Sequence, residues 1–154
     1  MSVSIKGPWD AKQVQEFLAG DERIPLRVAC VAEDGFPRLA SLWYHYHDGA
    51  IFCVTHRDSV LAKLLAENPR VGFEVSPNQP PYCGVRGQGR AQLTPLEGPE
   101  RLEALLQDYL GGTDSRLARW LLSRADEELL ITIEPVRLYT WDYRERMQDI
   151  PHSA

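Results

Sequence analysis

The chain has 154 residues, with a formal net charge of −5, 44% hydrophobic and 25% charged residues. That is the make-up of one ordinary globular domain, and the expectation is a single domain over 1–154. A sequence pI near 5.4 and the lack of any basic block argue against nucleic acid and against anionic membrane surfaces.

The longest uninterrupted apolar runs are about four residues, where roughly 20 are needed to span a bilayer. The start, Met1-Ser2-Val3-Ser4, shows neither a secretory signal nor the glycine that myristoylation needs. Cys30, Cys53 and Cys83 are odd in number and widely spaced. Three reduced thiols in a cytoplasmic protein are expected.

In chain order, Asp10 and Gln13 spell a capping box, with Trp9 and Val14 at the staple positions, for a short helix ended by Gly20. Residues 25–33 alternate as a strand. Asp34-Gly35 reads as a turn, 37–47 as the next strand, Asp48-Gly49 as a second turn, and 50–55 as a third strand. Together these predict a three-stranded antiparallel meander. A helix is expected at about 59–67, stopped by Asn68-Pro69. A strand follows at Val71, Phe73 and Val75, then a Pro-rich loop over 77–84. A strand over 85–93 contains Gly87 and Gly89, which signal a bulge or a close backbone approach. Pro99 opens a helix closed by Gly111, and Ser115 to Arg124 forms another, with Leu117, Trp120 and Leu121 inward. Two strands, 129–134 and 137–143, are separated by Pro135, and the last seven residues read as a loose tail. About seven strands and four helices without βαβ alternation point to a mainly β (α+β) fold. The form expected is an antiparallel barrel with peripheral helices, which also removes exposed strand edges.

The richest local chemistry is Thr55, Arg57, Ser59 and Lys63. A strand end runs there into a helix start, where free N–H groups and cations suit a phosphate; Ser59 as a plain N-cap with a solvated Arg57 is the competing reading. His45 and His47 share a strand face, and His56 follows. No carboxylate or cysteine has supporting spacing, so no metal is expected. Gly84 to Arg90 is neither a dinucleotide fingerprint nor a P-loop. Glu127-Glu128 read as a solvated pair at a strand start. No nucleophile constellation stands out, so no residue is assigned a catalytic role and any reactive atom belongs to a cofactor. Trp43, Tyr82, Trp141 and Tyr143 offer flat walls for one, or serve as core and interface aromatics.

The ordered set of Pro25 to Val31, Asp34-Gly35-Phe36-Pro37-Arg38, Ser41-Leu42-Trp43-Tyr44, Asp48-Gly49-Ala50-Ile51, Thr55, Ser59 and Asn68-Pro69-Arg70-Val71 resembles the pyridoxamine 5′-phosphate oxidase-like family, the FMN-binding split barrels. Phe73-Glu74-Val75, Pro80-Pro81-Tyr82, Gly84 to Gly89, Ile131 to Pro135 and Trp141-Asp142-Tyr143 extend the resemblance across about residues 20 to 147. It implies a six- to seven-stranded antiparallel split β-barrel and a homodimer with FMN at the interface. The function implied is a flavin-dependent oxidoreductase acting on a small organic substrate. By resemblance Arg27, Thr55, Arg57, Ser59 and Lys63 meet the phosphate and ribityl chain, and Arg27 and Val28 lie on the strand that passes beside the flavin. Ser41, Trp43, Arg86, Gln88 and a partner chain's tryptophan at position 141 edge the ring. Where many members carry Ser-Arg-Lys, this chain has Ser59-Val60-Leu61, which keeps the deazaflavin F420 open as the cofactor. The Arg-Leu-x-x-Arg ending of true pyridoxamine phosphate oxidases has no counterpart in Trp141 to Arg146, which argues against the vitamin B6 reaction itself. Two other readings are a non-catalytic flavin- or haem-binding module, with His45, His47 and His56 as the discriminating residues, and a structural dimer with an empty groove.

Overall fold

The structure, a computed structural model, describes residues 2–149. In chain order the elements are β1 (Ser4–Lys6), α1 (Ala11–Leu18), β2 (Leu26–Val31), β3 (Pro37–Leu42), β4 (His45–His47) and β5 (Ala50–His56). There follow α2 (Val60–Glu67), β6 (Arg70–Val75), β7 (Cys83–Pro95), α3 (Glu100–Leu110), α4 (Arg116–Ser123) and β8 (Glu128–Asp142). Seven strands pair in the order β3-β2-β6-β7-β8-β5-β4, every neighbour antiparallel, and β1 adds in parallel to β8.

The two edge strands of this path, β3 and β4, are joined by only Trp43 and Tyr44. Three Cα steps reach at most about 11 Å. Seven strands laid flat at about 4.8 Å spacing would hold their edges about 29 Å apart. The sheet therefore curls until its edges meet, giving a barrel split between β3 and β4.

Inside it Leu26, Val28, Cys30, Ile51, Cys53, Phe73, Val85, Ile131 and Ile133 form one core. The helices α1 and α2 plug its two ends: Trp9 and Leu18 pack at one, Leu65 at the other. The Asp10–Gln13 capping box forms as read from the sequence, and both Asp-Gly pairs make turns. In the two-residue β4–β5 turn both Asp48 and Gly49 have positive φ, the geometry that matches strand twist. All three cysteines are free and buried. A second, smaller core lies on the outer face of β5 and β8, where Leu102, Leu106 and Ala118 of α3 and α4 cover Val54 and Leu130.

The seven-strand expectation needs four corrections. Residues 37–47 form two strands, not one, because the chain crosses the split at Trp43-Tyr44. The three-stranded meander is absent, since β3 pairs with β2 alone while β4 and β5 close the opposite edge. Pro135 does not divide the C-terminal segment. It sits in a bulge of β8 where Gln88 pairs with Arg137 and Gly89 with Pro135, leaving Val136 as the extra residue. On α4 the inward residues are Ala118, Leu121 and Leu122, while Leu117 and Trp120 are exposed. The short β1 was not foreseen, because three residues pairing with a strand more than 130 positions away carry no local pattern. The expected tail lies mostly outside the described residues.

The glycine signal in β7 reflects close approach as well as the bulge. A Cβ on Gly87 would stand 2.6 Å from Phe73 Cζ and 2.7 Å from the Arg137 carbonyl oxygen. Gly87→Ala is expected to destabilise the fold by about 1–3 kcal/mol, measured as a lower urea midpoint with unchanged slope.

Candidate functional site

Outer-face residues line up across the strands in two rows. One runs Ser41, Arg27, Glu74, Arg86, Tyr139; the next runs Leu39, Ala29, Gly72, Gln88, Arg137. Ala29 and Gly72 stand side by side with almost no side chain, so the second row dips. The result is a groove of about 750 Å³ with Arg27, Glu74, Arg86, Gln88 and Tyr139 around it. The helices α3 and α4 cover a different part of the outer face, so this one stays open.

Arg27 donates from Nη1 to the Pro25 carbonyl at 3.4 Å, and the Arg86 guanidinium lies 5.2 Å from the Trp141 ring centre. Neither arginine makes a salt bridge among the described residues. Between them Glu74 accepts a hydrogen bond from the Ser76 hydroxyl at 3.0 Å. The groove is thus cationic at two positions and anionic between them. Arg86 also borders a neighbouring recess with Tyr82, Trp141 and Tyr143, which brings together three of the four aromatics singled out in the sequence. The recess is anchored by Asp142, which accepts from Trp9 Nε1 at 3.1 Å. Hydrogen bonds from Arg144 hold its carboxyl well below the usual range.

A second, smaller cavity of about 190 Å³ lies between α3, α4 and the barrel. Ser41, Trp43, Val54, Leu105 and Glu128 line it. Ser41 is directly opposite Arg27 in the β2–β3 pair, so one cross-strand step separates cavity and groove. Trp43 is fixed by stacking on Tyr109, with ring centres 5.6 Å apart and an interplanar angle of 19°. Glu128 corrects the solvated-pair reading: it is 5% exposed. Burial pushes its carboxyl above the ordinary value, with the Arg124 charge opposing. Glu127 does stay near solvent and holds His56 Nε2 at 3.1 Å and Arg57 at 3.2 Å.

The four residues of the phosphate reading are together at the β5–α2 junction, away from the groove's centre. Thr55 and Ser59 hydroxyls share a hydrogen bond of 2.9 Å. Ser59 accepts from the Ala62 N–H as N-cap, and Arg57 is engaged by Glu127. Lys63 is the cation there with no salt bridge among the described residues. Val28 faces the barrel core, on the opposite side of the sheet from the groove. The three histidines do not converge. His45 meets Asp108 at 2.7 Å, His47 meets Asp48 at 3.0 Å, and His56 lies at the far end of β5. None of the three lines the groove. No cluster suited to a metal occurs among the described residues. The residues that sequence reasoning missed are Ala29, Gly72, Glu74 and Tyr139. Ala29, Glu74 and Tyr139 alternate with core positions of their strands, a period-two signal that marks the face but not what lies over it.

No protein-family model matches the chain, and comparison with curated proteins gives no match. Solved structures do match. A conserved hypothetical protein from Mycobacterium tuberculosis superposes with a TM-score of 0.72 over 96% of this chain and 92% of its own, at 24% identity. An F420 reductase superposes at 0.67 over 80% and 94%, at 17% identity. A proposed pyridoxamine 5′-phosphate oxidase from Listeria innocua superposes at 0.63 over 84% and 95%, at 16% identity. The fold is that of the pyridoxamine 5′-phosphate oxidase-like split barrels. In this split barrel no helix among the described residues is long and apolar enough to cross a membrane.

Because the folded state raises the Glu128 pKa, its stabilising contribution is present below the unfolded value, about 4.3, and is lost as pH rises through the folded value. Glu128→Gln is therefore expected to raise Tm relative to the wild type more at pH 7 than at pH 4, read by thermal scans across that interval.

Proposed function

We propose that the groove binds a flavin-type cofactor, FMN in the first instance, and that the protein is an oxidoreductase for a small organic substrate. The observation that carries this reading is the groove itself. A side-chain-poor floor at Ala29 and Gly72 lies beside the row that carries Arg27 and Arg86, two guanidinia free of salt bridges among the described residues, in a volume typical of cofactor sites. A flat ring system fits that floor. Arg27 and Arg86 would meet the anionic and carbonyl oxygens of the cofactor, and Gln88 offers an amide that both donates and accepts. Glu74 between them disfavours a phosphate at the centre and favours one toward either end. Lys63, Thr55 and Ser59 remain the alternative phosphate ligands, at the α2 start. Bound flavin would supply a two-electron acceptor, and the chain's own residues bind and orient.

A homodimer belongs to the same proposal. Leu39, which borders the groove, is 80% exposed, and Val31 of β2, Phe36 of the β2–β3 turn and Val136 of β8 are exposed as well. A second copy covering them would bury this apolar surface and complete the groove's open side. F420 stands as the alternative cofactor, because a reductase of that name has the same fold.

Titration of dialysed protein with FMN, followed by the flavin's visible absorption and fluorescence, tests the reading. Saturable binding is expected, weakened about tenfold or more by Arg27→Ala and by Arg86→Ala. Unchanged affinity in both Arg57→Ala and Lys63→Ala removes the α2 junction from the site. Saturation by F420 without FMN reassigns the cofactor, and binding of neither overturns the proposal. Sedimentation of the same samples is expected to show a dimer, and Leu39→Glu a shift toward monomer.

A further inference from the structure

A glycine inside a strand weakens it, and the space around the glycine usually shows the reason. In β7 the reason is close packing. A Cβ would stand 2.7 Å from Trp141 Cζ2 at Gly84, 2.6 Å from Phe73 Cζ at Gly87 and 2.8 Å from the Glu134 carbonyl oxygen at Gly89. Gly72 of β6 is different. A Cβ there would meet nothing closer than the Gly87 carbonyl oxygen at 3.9 Å and the Ala29 Cβ at 4.0 Å, which is ordinary contact. Its φ lies outside the left-handed region. The strand and its neighbours therefore accept a side chain at position 72, and what glycine keeps open there is the groove above it.

Two residues along the same face, about 7 Å away, stands the row Arg27, Glu74, Arg86. Opposite charges directly across a strand pair attract. Glu74 nevertheless makes no salt bridge with either arginine among the described residues. Each of the three has a partner of its own: Arg27 the Pro25 carbonyl at 3.4 Å, Glu74 the Ser76 hydroxyl at 3.0 Å, Arg86 the Trp141 ring at 5.2 Å. Ser76 engages one carboxylate oxygen, Oε1, and leaves Oε2 to accept. The row is thus held open as donor, acceptor, donor, and has not collapsed into an ion pair.

We infer that the groove recognises its flavin by the imide edge of the pyrimidine ring: Glu74 accepts from N3–H, Arg27 and Arg86 donate to the two flanking carbonyls, and the ring body lies on Ala29 and Gly72. That edge reads acceptor, donor, acceptor, the complement of the row. An ionised carboxylate only accepts and a guanidinium only donates, so neither role can be exchanged. A phosphate, which offers acceptors alone, is refused at Glu74, and an imide alkylated on nitrogen lacks the central donor. A deazaflavin ring bears the same edge, so the assignment holds for either cofactor. It rests on the flavin reading and adds which edge of the ring is held, and by which residues.

The probes are FMN and its N3-methyl derivative, titrated into dialysed protein and followed by flavin fluorescence. FMN is expected to bind at least about tenfold tighter, the scale of a hydrogen bond to a charged group. Glu74→Leu is expected to abolish that preference, and Glu74→Gln, whose side-chain carbonyl still accepts, to keep part of it. Gly72→Val raises strand propensity; it is expected to leave the melting temperature undiminished and to weaken FMN about tenfold or more, because a filled floor clashes with the ring. Equal affinity of the wild type for both flavins overturns the inference, as does a preference that survives Glu74→Leu or is lost in Glu74→Gln. So does a Gly72→Val protein that binds FMN like the wild type or melts at a lower temperature. All of these outcomes leave FMN binding to the wild type, and with it the proposed cofactor, intact. Absence of FMN binding to the wild type overturns the FMN assignment and this inference together.

Discussion

The two-residue join between β3 and β4 is the constraint on which the rest of the molecule depends. It forces the outermost strands of a long antiparallel sheet to sit next to each other, and so converts the sheet into a barrel. The join is itself tightly held. The Tyr44 hydroxyl donates to the Leu18 carbonyl at the end of α1 at 2.9 Å. The Tyr109 hydroxyl of α3 accepts from the Tyr44 N–H at 3.3 Å and faces the carbonyls of Ile24 and Tyr44 at 3.2 and 3.3 Å. Trp43 stacks on the same Tyr109 ring. One short segment thus ties together both sheet edges, the end plug α1 and the outer helix layer.

Once the barrel closes, period-two alternation divides every strand between an inner and an outer face. The inner face is filled, and needs nothing else. The outer face is treated in two ways. Over β5 and the first part of β8 the helices α3 and α4 cover Val54 and Leu130, forming the second core, with a small half-open cavity beside Glu128. Over β2, β6 and β7 no helix covers the strands, and the small residues Ala29 and Gly72 leave a depression flanked by arginines. The net-acidic chain therefore gathers Arg27, Arg86 and Arg137 along one face, a local arrangement that the overall charge of −5 conceals.

Local signals were reliable where the physics is local. The Asp10–Gln13 capping box, the two Asp-Gly turns, the Asn68-Pro69 stop and the Ser59 cap depend on neighbours three or four residues away, and all form. Readings failed where a distant segment decides the outcome. Glu128 looks solvated beside Glu127, yet α4 folds over it. Pro135 looks like a strand break, yet a bulge opposite Gly89 absorbs its missing N–H. On α4 the apolar residues occupy more than half the circumference, so periodicity alone did not choose between Trp120 and Ala118 as the inward residue. Of the proposed site, Arg27, Arg86 and Gln88 were legible and meet in one groove, while Ser41 and Trp43 belong to the adjoining cavity.

The sequence by itself determined the mainly β character, the helix positions and the alternating strands, because capping, turn chemistry and side-chain alternation act within a few residues. The ordered motifs also carried the split-barrel resemblance. Only the tertiary structure decided that residues 37–47 cross from one sheet edge to the other, that Arg27, Glu74 and Arg86 stand in one row, and that Glu128 is buried. Those facts follow from register between strands far apart in the chain and from which outer face the helices cover. Both are set by packing, which no local pattern encodes.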